Sequence, residues 1–314
     1  MYLICGEALF DVFVDDATDD PSSLLFTARA GGSPFNVSIG ISRLGKKSAL
    51  LTGISSDRLG RQLVQILQRE SVSTEYLLRS DRRTTLSLVN LDDSGTPEYS
   101  FYGEGSADCG VQISDLPEIK QEISGMHFGS YSLVINPVAD AFAFLLSSNR
   151  GRFISLDPNV RPTIEADMDI WRERIQQYSR HADLLKLSLE DMDYLYPDNP
   201  SENVATDWLD KGVGLVVVTY GGNGCIAWSK TGGRVSKPAL KGTVVDTVGA
   251  GDSFQAALLT GMADYENPKQ EIHLLNNKAL DELITRALTA ACITCSRRGA
   301  DLPSAAEVQT MINA

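Results

Sequence analysis

The chain has 314 residues, of which 43% are hydrophobic and 22% are charged, and its formal net charge is −13. This excess of negative charge disfavours nonspecific binding to nucleic acids and docking on anionic membranes. Five scattered cysteines do not form a disulfide framework, and no apolar run approaches the length of a membrane span. The start of the sequence lacks the basic region of a signal peptide, so we expect a cytoplasmic protein.

The first predicted strand, residues 3–5, ends at Gly6-Glu7, and Asp11 follows between hydrophobic residues. An acid in such a frame lies either on the solvent face of a strand or at a site. From this segment alone, we expect the Asp11 side chain on the solvent face of a strand.

A helix is predicted after the paired glycines Gly31 and Gly32. Pro34 suits its first turn and Ser33 suits its N-cap, while Gly45 closes it. Asn36, in the first turn, can both donate and accept hydrogen bonds. An ordinary capped helix explains the serine and the proline, but it does not explain two glycines before the cap.

The middle of the chain contains a predicted hairpin. Residues 48–54 indicate a strand, residues 53–60 a polar turn, and a helix continues through Leu67. Residues 84–91 and 99–102 are rich in strand-forming side chains and flank a turn at 92–95. This hairpin interrupts an α/β rhythm, so it predicts either a small lid or an oligomer contact.

After Gly105 the chain alternates regularly between strands and helices. Strands are predicted at 126–131, 153–156, 184–187 and 215–219, with helices at 138–146, 170–178 and 280–295. This alternation predicts one α/β domain with a parallel sheet covered on both faces. Ligands bind beyond the carboxyl ends of such strands, where polar residues and glycines occur at 157–161, 186–191 and 219–224.

The stretch from Asp246 to Phe254 predicts a strand at 243–245, a glycine turn and the start of a helix. Free N–H groups and the helix dipole make such a turn an anion site. Asp252 lies in that site, where a carboxylate would assist the attack of a hydroxyl group on phosphate. A structural cap is the alternative, because acids are common in the first helical turn.

Several chemistries are disfavoured. The chain has no Walker A pattern and no GxGxxG fingerprint after its first strand, which argues against P-loop ATPases and nicotinamide dehydrogenases. Its three histidines form neither a catalytic triad nor a metal cluster. A glycine anion hole with an adjacent aspartate suits phosphoryl transfer, which depends on positioning and charge neutralisation.

Two motifs resemble the signatures of the ribokinase-like (PfkB) sugar kinases. They are Gly31-Gly32-x-x-x-Asn36 and Asp246-Thr247-x-Gly249-Ala250-Gly251-Asp252-x-Phe254. Within that family, residues 6–11, 32–37 and 157–162 resemble bacterial fructokinases. The resemblance implies a three-layer ribokinase-like α/β fold over residues 1–314, with a β lid formed by about 12–30 and 84–105.

The resemblance also implies the residues of the sugar and catalytic site. Asp252 would be the general base, the Gly249–Gly251 amides the anion hole, and Arg161 a catalytic cation. The implied sugar-binding residues are Asp11, Gly31, Gly32, Asn36, Phe101, Asn159, Arg161 and Asp252.

ATP and Mg²⁺ are the cofactors that the resemblance implies, with K⁺ as a possible third, and the predicted hairpin makes a homodimer through the lid a possible assembly. Asp191 would face magnesium, although Glu190 is an alternative because Ser188-Leu189-Glu190-Asp191 departs from the family's Asn-x-x-Glu. Potassium would lie near Asp246, Val248 and Gly299. The implied nucleotide-binding residues are Lys186, Ser188, Thr219, Gly221, Gly224, Ala250 and Gly251.

Fructose is the expected sugar. The alternative within the class is a 2-keto-3-deoxygluconate kinase, and a ribose or nucleoside kinase is less favoured. A non-catalytic sugar sensor on the same fold is disfavoured by the intact Asp252 and its glycine turn.

Overall fold

The computed structural model describes residues 1–15, 22–91 and 97–314 of the chain. Its strands are β1 (Tyr2–Cys5), β2 (Leu9–Asp15), β3 (Leu25–Gly31), β4 (Ser48–Ser55), β5 (Leu77–Ser80), β6 (Leu86–Leu91), β7 (Pro97–Tyr102), β8 (Gly125–Gly129), β9 (Phe153–Asp157), β10 (Leu184–Ser188), β11 (Leu215–Thr219), β12 (Cys225–Ser229) and β13 (Gly233–Lys237). Its α-helices are α1 (Ser33–Arg43), α2 (Arg58–Arg69), α3 (Val138–Ser148), α4 (Met168–Ser179), α5 (Leu189–Leu195), α6 (Ser201–Asp210), α7 (Ala250–Met262), α8 (Pro268–Glu271), α9 (Asn277–Cys295) and α10 (Ala305–Ile312).

A nine-stranded sheet has the order β13-β12-β11-β10-β9-β8-β1-β4-β5. The strands from β11 to β5 are parallel, and β12 and β13 add an antiparallel edge. Its central strands read as continuous apolar runs because both faces are covered, and every residue of β1 is buried. The predicted parallel sheet with helices on both faces is confirmed.

Two apolar layers lie on the two faces of this sheet. One layer contains buried residues of α1, α2, α7 and α9, among them Phe35, Leu63 and Phe254. The other contains buried residues of α3, α4 and α6, with Trp171 and Tyr178 fully enclosed. Helices α1 and α7 therefore share a layer, which brings their first turns to the same edge of the sheet.

A second sheet of four strands has the order β3-β2-β6-β7. Asp11 is paired with Arg29 on β3 and with Ser87 on β6, and Ser87 is paired with Phe101. Directly paired residues point to the same face of a sheet, so these four side chains share one face. The predicted hairpin corresponds to β6 and β7, whereas its turn at 92–95 lies outside the described residues.

The strand predicted at 243–245 is wrong. Val244 and Val245 are 67% and 57% exposed, and the Val245 N–H donates to the carbonyl of Cys295 at the end of α9. β-branched residues favour strands only where a sheet offers a partner and a face to bury. Here the segment instead passes over the surface and is held by the last turn of a helix.

Other boundaries differ from the predictions. β4 continues to Ser55 and α2 begins at Arg58, so the predicted turn at 53–60 is shorter; Asp57 caps α2 by accepting the Gly60 N–H at 2.7 Å. Strands β5, β12 and β13 were not predicted, because β5 and β13 mix polar and apolar residues without a clear period and β12 is a short apolar run, which periodicity alone does not assign. Within the described ranges, no helix combines the length and apolar character required to cross a bilayer.

Candidate active site

The glycine turn at the start of α7 is built as the sequence predicts. Gly249 has φ 79° and ψ 0°, and a Cβ at this position would lie 2.7 Å from the Cβ of Ala300. Only glycine fits this left-handed, crowded position. The helix begins at Ala250, whose N–H donates to the Thr247 carbonyl at 3.2 Å, and the N–H groups that follow it and the positive end of the helix dipole lie beside Asp252.

Asp252 is half-buried and receives a hydrogen bond on each carboxylate oxygen from α1. The Ser33 hydroxyl donates to Oδ1 at 2.7 Å, and the Asn36 amide donates to Oδ2 at 2.8 Å. Burial raises the pKa of Asp252, while these two donors and the positive charges of Lys186 and Arg161 oppose the rise. Each oxygen keeps a free lone pair, so the carboxylate can also accept a hydroxyl proton from a ligand.

The prediction that Ser33 caps α1 is wrong. Gly32 occupies the N-cap position and makes no side-chain hydrogen bond there, while Ser33 is the first helical residue. The hydroxyl of Ser33 is directed to Asp252 instead of to its own helix. Because the N–H of Ser33 bonds the buried Glu7 carboxyl, a side-chain cap is not needed at that group.

Asp11 faces the site from the four-stranded sheet. A Cβ on Gly31 would contact its carboxylate, which places the Asp11 side chain against the glycine turn that precedes α1. Burial raises the pKa of Asp11 to about 6, although a hydrogen bond from Ser87 opposes the rise. Phe101, on the same face of this sheet, packs edge to face on Tyr131 with ring centroids 4.9 Å apart.

Arg161 is exposed and follows a strained residue, Asn159, whose φ is 44°. The guanidinium donates to the neighbouring Val160 carbonyl at 2.9 Å, and its charge opposes the rise that burial causes in the pKa values of Asp11 and Asp252. Arg161 is a solvent-accessible cation close enough to both acids to act on them electrostatically.

Lys186 forms a buried ion pair with Asp157 at the carboxyl ends of β10 and β9. Its ammonium nitrogen lies 2.6 Å from Oδ2 of Asp157, while Oδ1 is buried without a partner among the described residues. Burial alone would lower the pKa of Lys186, but Asp157, Asp191 and Asp252 outweigh it and raise the pKa. The ammonium is also 3.4 Å from where a Cβ of Gly251 would be, so a positive charge adjoins the glycine turn at the start of α7.

Asp191 connects two loops at this edge. Its Oδ1 accepts the Val160 N–H at 2.7 Å, and its Oδ2 accepts both the N–H and the hydroxyl of Ser188 at 2.7 Å. Glu190, by contrast, is exposed. Asp191 therefore holds the loop that carries Asn159, whereas Glu190 makes its contact with solvent.

The predicted nucleotide-side residues lie at neighbouring strand ends. Ser188, the last residue of β10, is paired with Thr219, the last residue of β11. A short 3-10 turn at Gly221–Asn223 follows, and the Tyr220 N–H donates to the carbonyl of Gly224 at 2.7 Å. The fold therefore brings these residues to the same edge as Lys186.

Asp246 bridges the glycine turn and the segment after α9. Its oxygens accept the N–H groups of Val248 at 3.1 Å and of Gly299 at 2.8 Å. The Arg29 guanidinium lies over Gly299. Burial would raise the pKa of Asp246, but the backbone N–H groups that it accepts and the charge of Arg29 outweigh burial and lower the pKa. The predicted potassium residues are thus adjacent, and Arg29 is a further cation at that position.

A magnesium ion at this site would have to be held mainly by the phosphates of a bound nucleotide and by water. Among the described residues, no group of three or more histidines, cysteines or acids could hold a metal ion. Magnesium is commonly bound by one or two carboxylates together with phosphates and water. Asp191 and Asp157 can supply such carboxylates, and Oδ1 of Asp157 has no hydrogen-bond partner among the described residues. The residues present therefore fit a magnesium–nucleotide complex.

Sequence reasoning assigned no role to Glu7 and only a capping role to Ser33. Glu7 is 2% exposed and lies at the carboxyl end of β1. An acid directly after a fully apolar strand is the signal that could have identified it, because carboxyl ends of parallel strands form ligand crevices.

The fold and the glycine-rich carboxyl edge of its sheet are those of a ribokinase-like kinase. The chain belongs to the pfkB family of carbohydrate kinases, whose family pattern matches residues 5–307, and it is therefore a sugar kinase. It is 36% identical over 282 residues to a fructokinase of Rhizobium leguminosarum bv. trifolii, a match that covers 89% of this chain and 85% of that protein.

Two solved structures are similar over nearly the whole chain. The fructokinase of Xylella fastidiosa with bound ATP has a TM-score of 0.90 and 24% identity, with 99% of this chain and 97% of that chain covered. An uncharacterized sugar kinase of Pyrococcus horikoshii in complex with ATP has a TM-score of 0.78 and 27% identity, with 98% and 99% covered. The predicted family and fold are confirmed.

Proposed function

We propose that this kinase transfers a phosphoryl group from ATP to fructose in the cytoplasm. The observation that carries the proposal is Asp252, which lies at the start of α7 and is oriented by Ser33 and Asn36. The fructokinase relatives and the ATP-bound neighbours support the choice of sugar and of phosphate donor.

In this proposal, Asp252 orients the attacking hydroxyl and accepts its proton late in a loose transition state. The amides of the Gly249–Gly251 turn and the ammonium of Lys186 stabilise the charge on the transferring phosphate. Asp11, Asn36 and Arg161 hold the sugar at the mouth of the cleft. Magnesium would neutralise the nucleotide phosphates, and potassium near Asp246 would support the anion hole.

The four-stranded sheet acts as a lid over the sugar in this proposal. Its face with Asp11 and Phe101 would exclude water from the reaction. Phe26 and Tyr102 lie on the opposite face and are 51% and 62% exposed. These exposed apolar side chains support a homodimer in which two lids pack together, which sedimentation velocity would test.

The rival substrate is 2-keto-3-deoxygluconate. A coupled assay of ADP release, run with fructose, ketodeoxygluconate, ribose and nucleosides, separates the alternatives. Fructose should give the highest kcat/KM, EDTA should abolish the activity, and potassium should raise it above the rate in sodium. A clear preference for ketodeoxygluconate would move the protein to the rival assignment, and sugar binding without turnover would indicate a sensor.

A further inference from the structure

Glu7 is a buried acid for which the proposed reaction has no role. It lies between the end of β1 and the start of β2, and 2% of its surface is exposed. Its Oε1 accepts a hydrogen bond from the N–H of Ser33 at 3.1 Å. Burying a carboxyl group costs free energy, so its retention here calls for a compensating interaction or a function.

The turn before α1 is shaped around this side chain. Gly32 has a φ of 101°, and a Cβ on it would lie 3.0 Å from the Glu7 carbonyl oxygen and 3.1 Å from Glu7 Cγ. A larger residue at this position would displace either Glu7 or the start of the helix. Glu7 therefore contacts both the N-cap and the first residue of α1.

Ser33 connects Glu7 to Asp252. Its N–H donates to Glu7, and its hydroxyl donates to Oδ1 of Asp252 at 2.7 Å. Because one residue makes both bonds, a displacement of the Ser33 backbone also moves the donor that orients Asp252. We propose that Glu7 is a positioning residue for Asp252, acting through Ser33. The inference rests on the proposed role of Asp252 as the base.

The surroundings of Glu7 indicate which of its protonation states positions Ser33. Oε2 is buried and has no partner in hydrogen-bonding geometry among the described residues. The Ser130 hydroxyl interacts with the carboxyl and opposes the rise in its pKa. The titratable groups that face the carboxyl are Asp108, Cys109 and Tyr131, and burial keeps the thiol and the phenol neutral by raising their pKa values. Asp108 accepts hydrogen bonds from the hydroxyls of Thr85, Ser106 and Tyr131.

A protonated Glu7 keeps a further negative charge out of this buried environment. Burial first, and then the charge of Asp108, raise the pKa of Glu7 to about 8. Oε1 can then accept the Ser33 N–H while Oε2 carries the proton. Ionisation at higher pH would place a second charge beside Asp108 and disturb the turn that holds Ser33.

Two substitutions test the inference. Glu7→Gln keeps the acceptor for Ser33 and cannot ionise, whereas Glu7→Ala removes the acceptor. Glu7→Ala should lower kcat on the order of 10-fold or more with little change in the KM for ATP, because small misplacements of a catalytic group have effects of that size. Glu7→Gln should stay within about 2-fold of wild type at neutral pH, since it mimics the neutral acid.

The dependence of kcat on pH distinguishes a positioning role of Glu7 from a purely structural one. Wild-type kcat should fall as pH rises through about 8, the pKa of Glu7, and Glu7→Gln should lack that fall. Glu173→Gln, at an exposed acid on α4, is the matched control and should keep the wild-type profile. Melting temperatures identify any variant that does not fold.

Two results would overturn the inference: a folded Glu7→Ala with wild-type kcat, or a Glu7→Gln variant that keeps the alkaline fall. If Glu7→Ala does not fold, the profile of Glu7→Gln decides alone. Asp252→Asn separates the proposed role of Asp252 as the base from the proposed role of Glu7 as a positioning residue. A fully active Asp252→Asn contradicts the proposed base, whereas an inactive Asp252→Asn with a normal Glu7→Ala contradicts only the positioning role.

Discussion

The ammonium nitrogen of Lys186 lies 2.6 Å from Oδ2 of Asp157, and both side chains are at least 95% buried. The pair joins the neighbouring strands β9 and β10 beside the glycine turn at the start of α7. Removing one partner of a buried ion pair leaves an uncompensated charge, which typically destabilises a protein by about 3–5 kcal/mol.

Lys186→Met should therefore destabilise the protein by about 3–5 kcal/mol in urea unfolding and should also lower kcat. Lys278→Met is the matched control, because Lys278 and Glu282 form an exposed pair at 3.8 Å, and such pairs contribute about 0–1 kcal/mol. The double variant Lys186→Met/Asp157→Asn should lose less free energy of unfolding than the sum of the losses in the two single variants. Strict additivity would show that the two side chains do not act as a pair.

Asp252→Asn keeps the shape of the side chain but cannot accept a proton. Loss of a general base should lower kcat by roughly 10²–10⁴-fold, with KM values changed far less. If Asp252 only caps α7, the change would instead cost a few tenths to about 1 kcal/mol of stability and leave activity intact. Asp169→Asn, in the first turn of α4, is the control for that capping effect.

Binding of the sugar should depend on the ionisation of Asp11. Its pKa is raised to about 6, so the group is an acceptor-only carboxylate above that pH and becomes protonated below it. The KM for the sugar should therefore rise as pH falls below about 6. Asp157 also has a pKa of about 6, so Asp11→Asn is needed to separate the two. A variant with the wild-type pH dependence of KM would exclude Asp11 as its source.

Arg161→Ala should reduce kcat/KM for the sugar without altering the melting temperature. The side chain is exposed, so truncation removes little packing. A hydrogen bond from a charged group contributes about 1.5–3 kcal/mol, which is a loss of roughly 10–150-fold in kcat/KM. Arg150→Ala, at an exposed arginine after α3, is the control. Equal kcat/KM values for Arg161→Ala and wild type would remove Arg161 from the site.

Local sequence patterns predicted the parts of the fold with a strong period or strong turn residues. The parallel sheet, the glycine turn of Gly249 and the polar strand ends all have local signals, and the fold brings them to one edge. The wrong strand at 243–245 has a clear cause: its β-branched residues satisfied the local propensity, but the fold gave them no sheet to join.

Long-range pairing explains what the sequence did not reveal. Ser33 and Asp252 are 219 positions apart, and nothing in the local pattern of either helix specifies the bond between their side chains. Likewise, Glu7 has a role only because Gly32 and Ser33 are folded against it. Such contacts depend on the packing of α1 beside α7 and β1, which periodicity does not encode.

If Asp11 binds the sugar as proposed, its pairing with Arg29 and Ser87 makes sugar recognition depend on the alignment of β2 with β3 and β6. Side chains alternate between the two faces of a strand, so a shift of β2 by one position would turn Asp11 away from the cleft and present Phe10 or Val12 instead. Insertions or deletions between β2 and β3 would therefore be tolerated only where they preserve this alignment. Changes of substrate should accordingly arise by point substitution on the cleft face, and not by lengthening the strands that carry it.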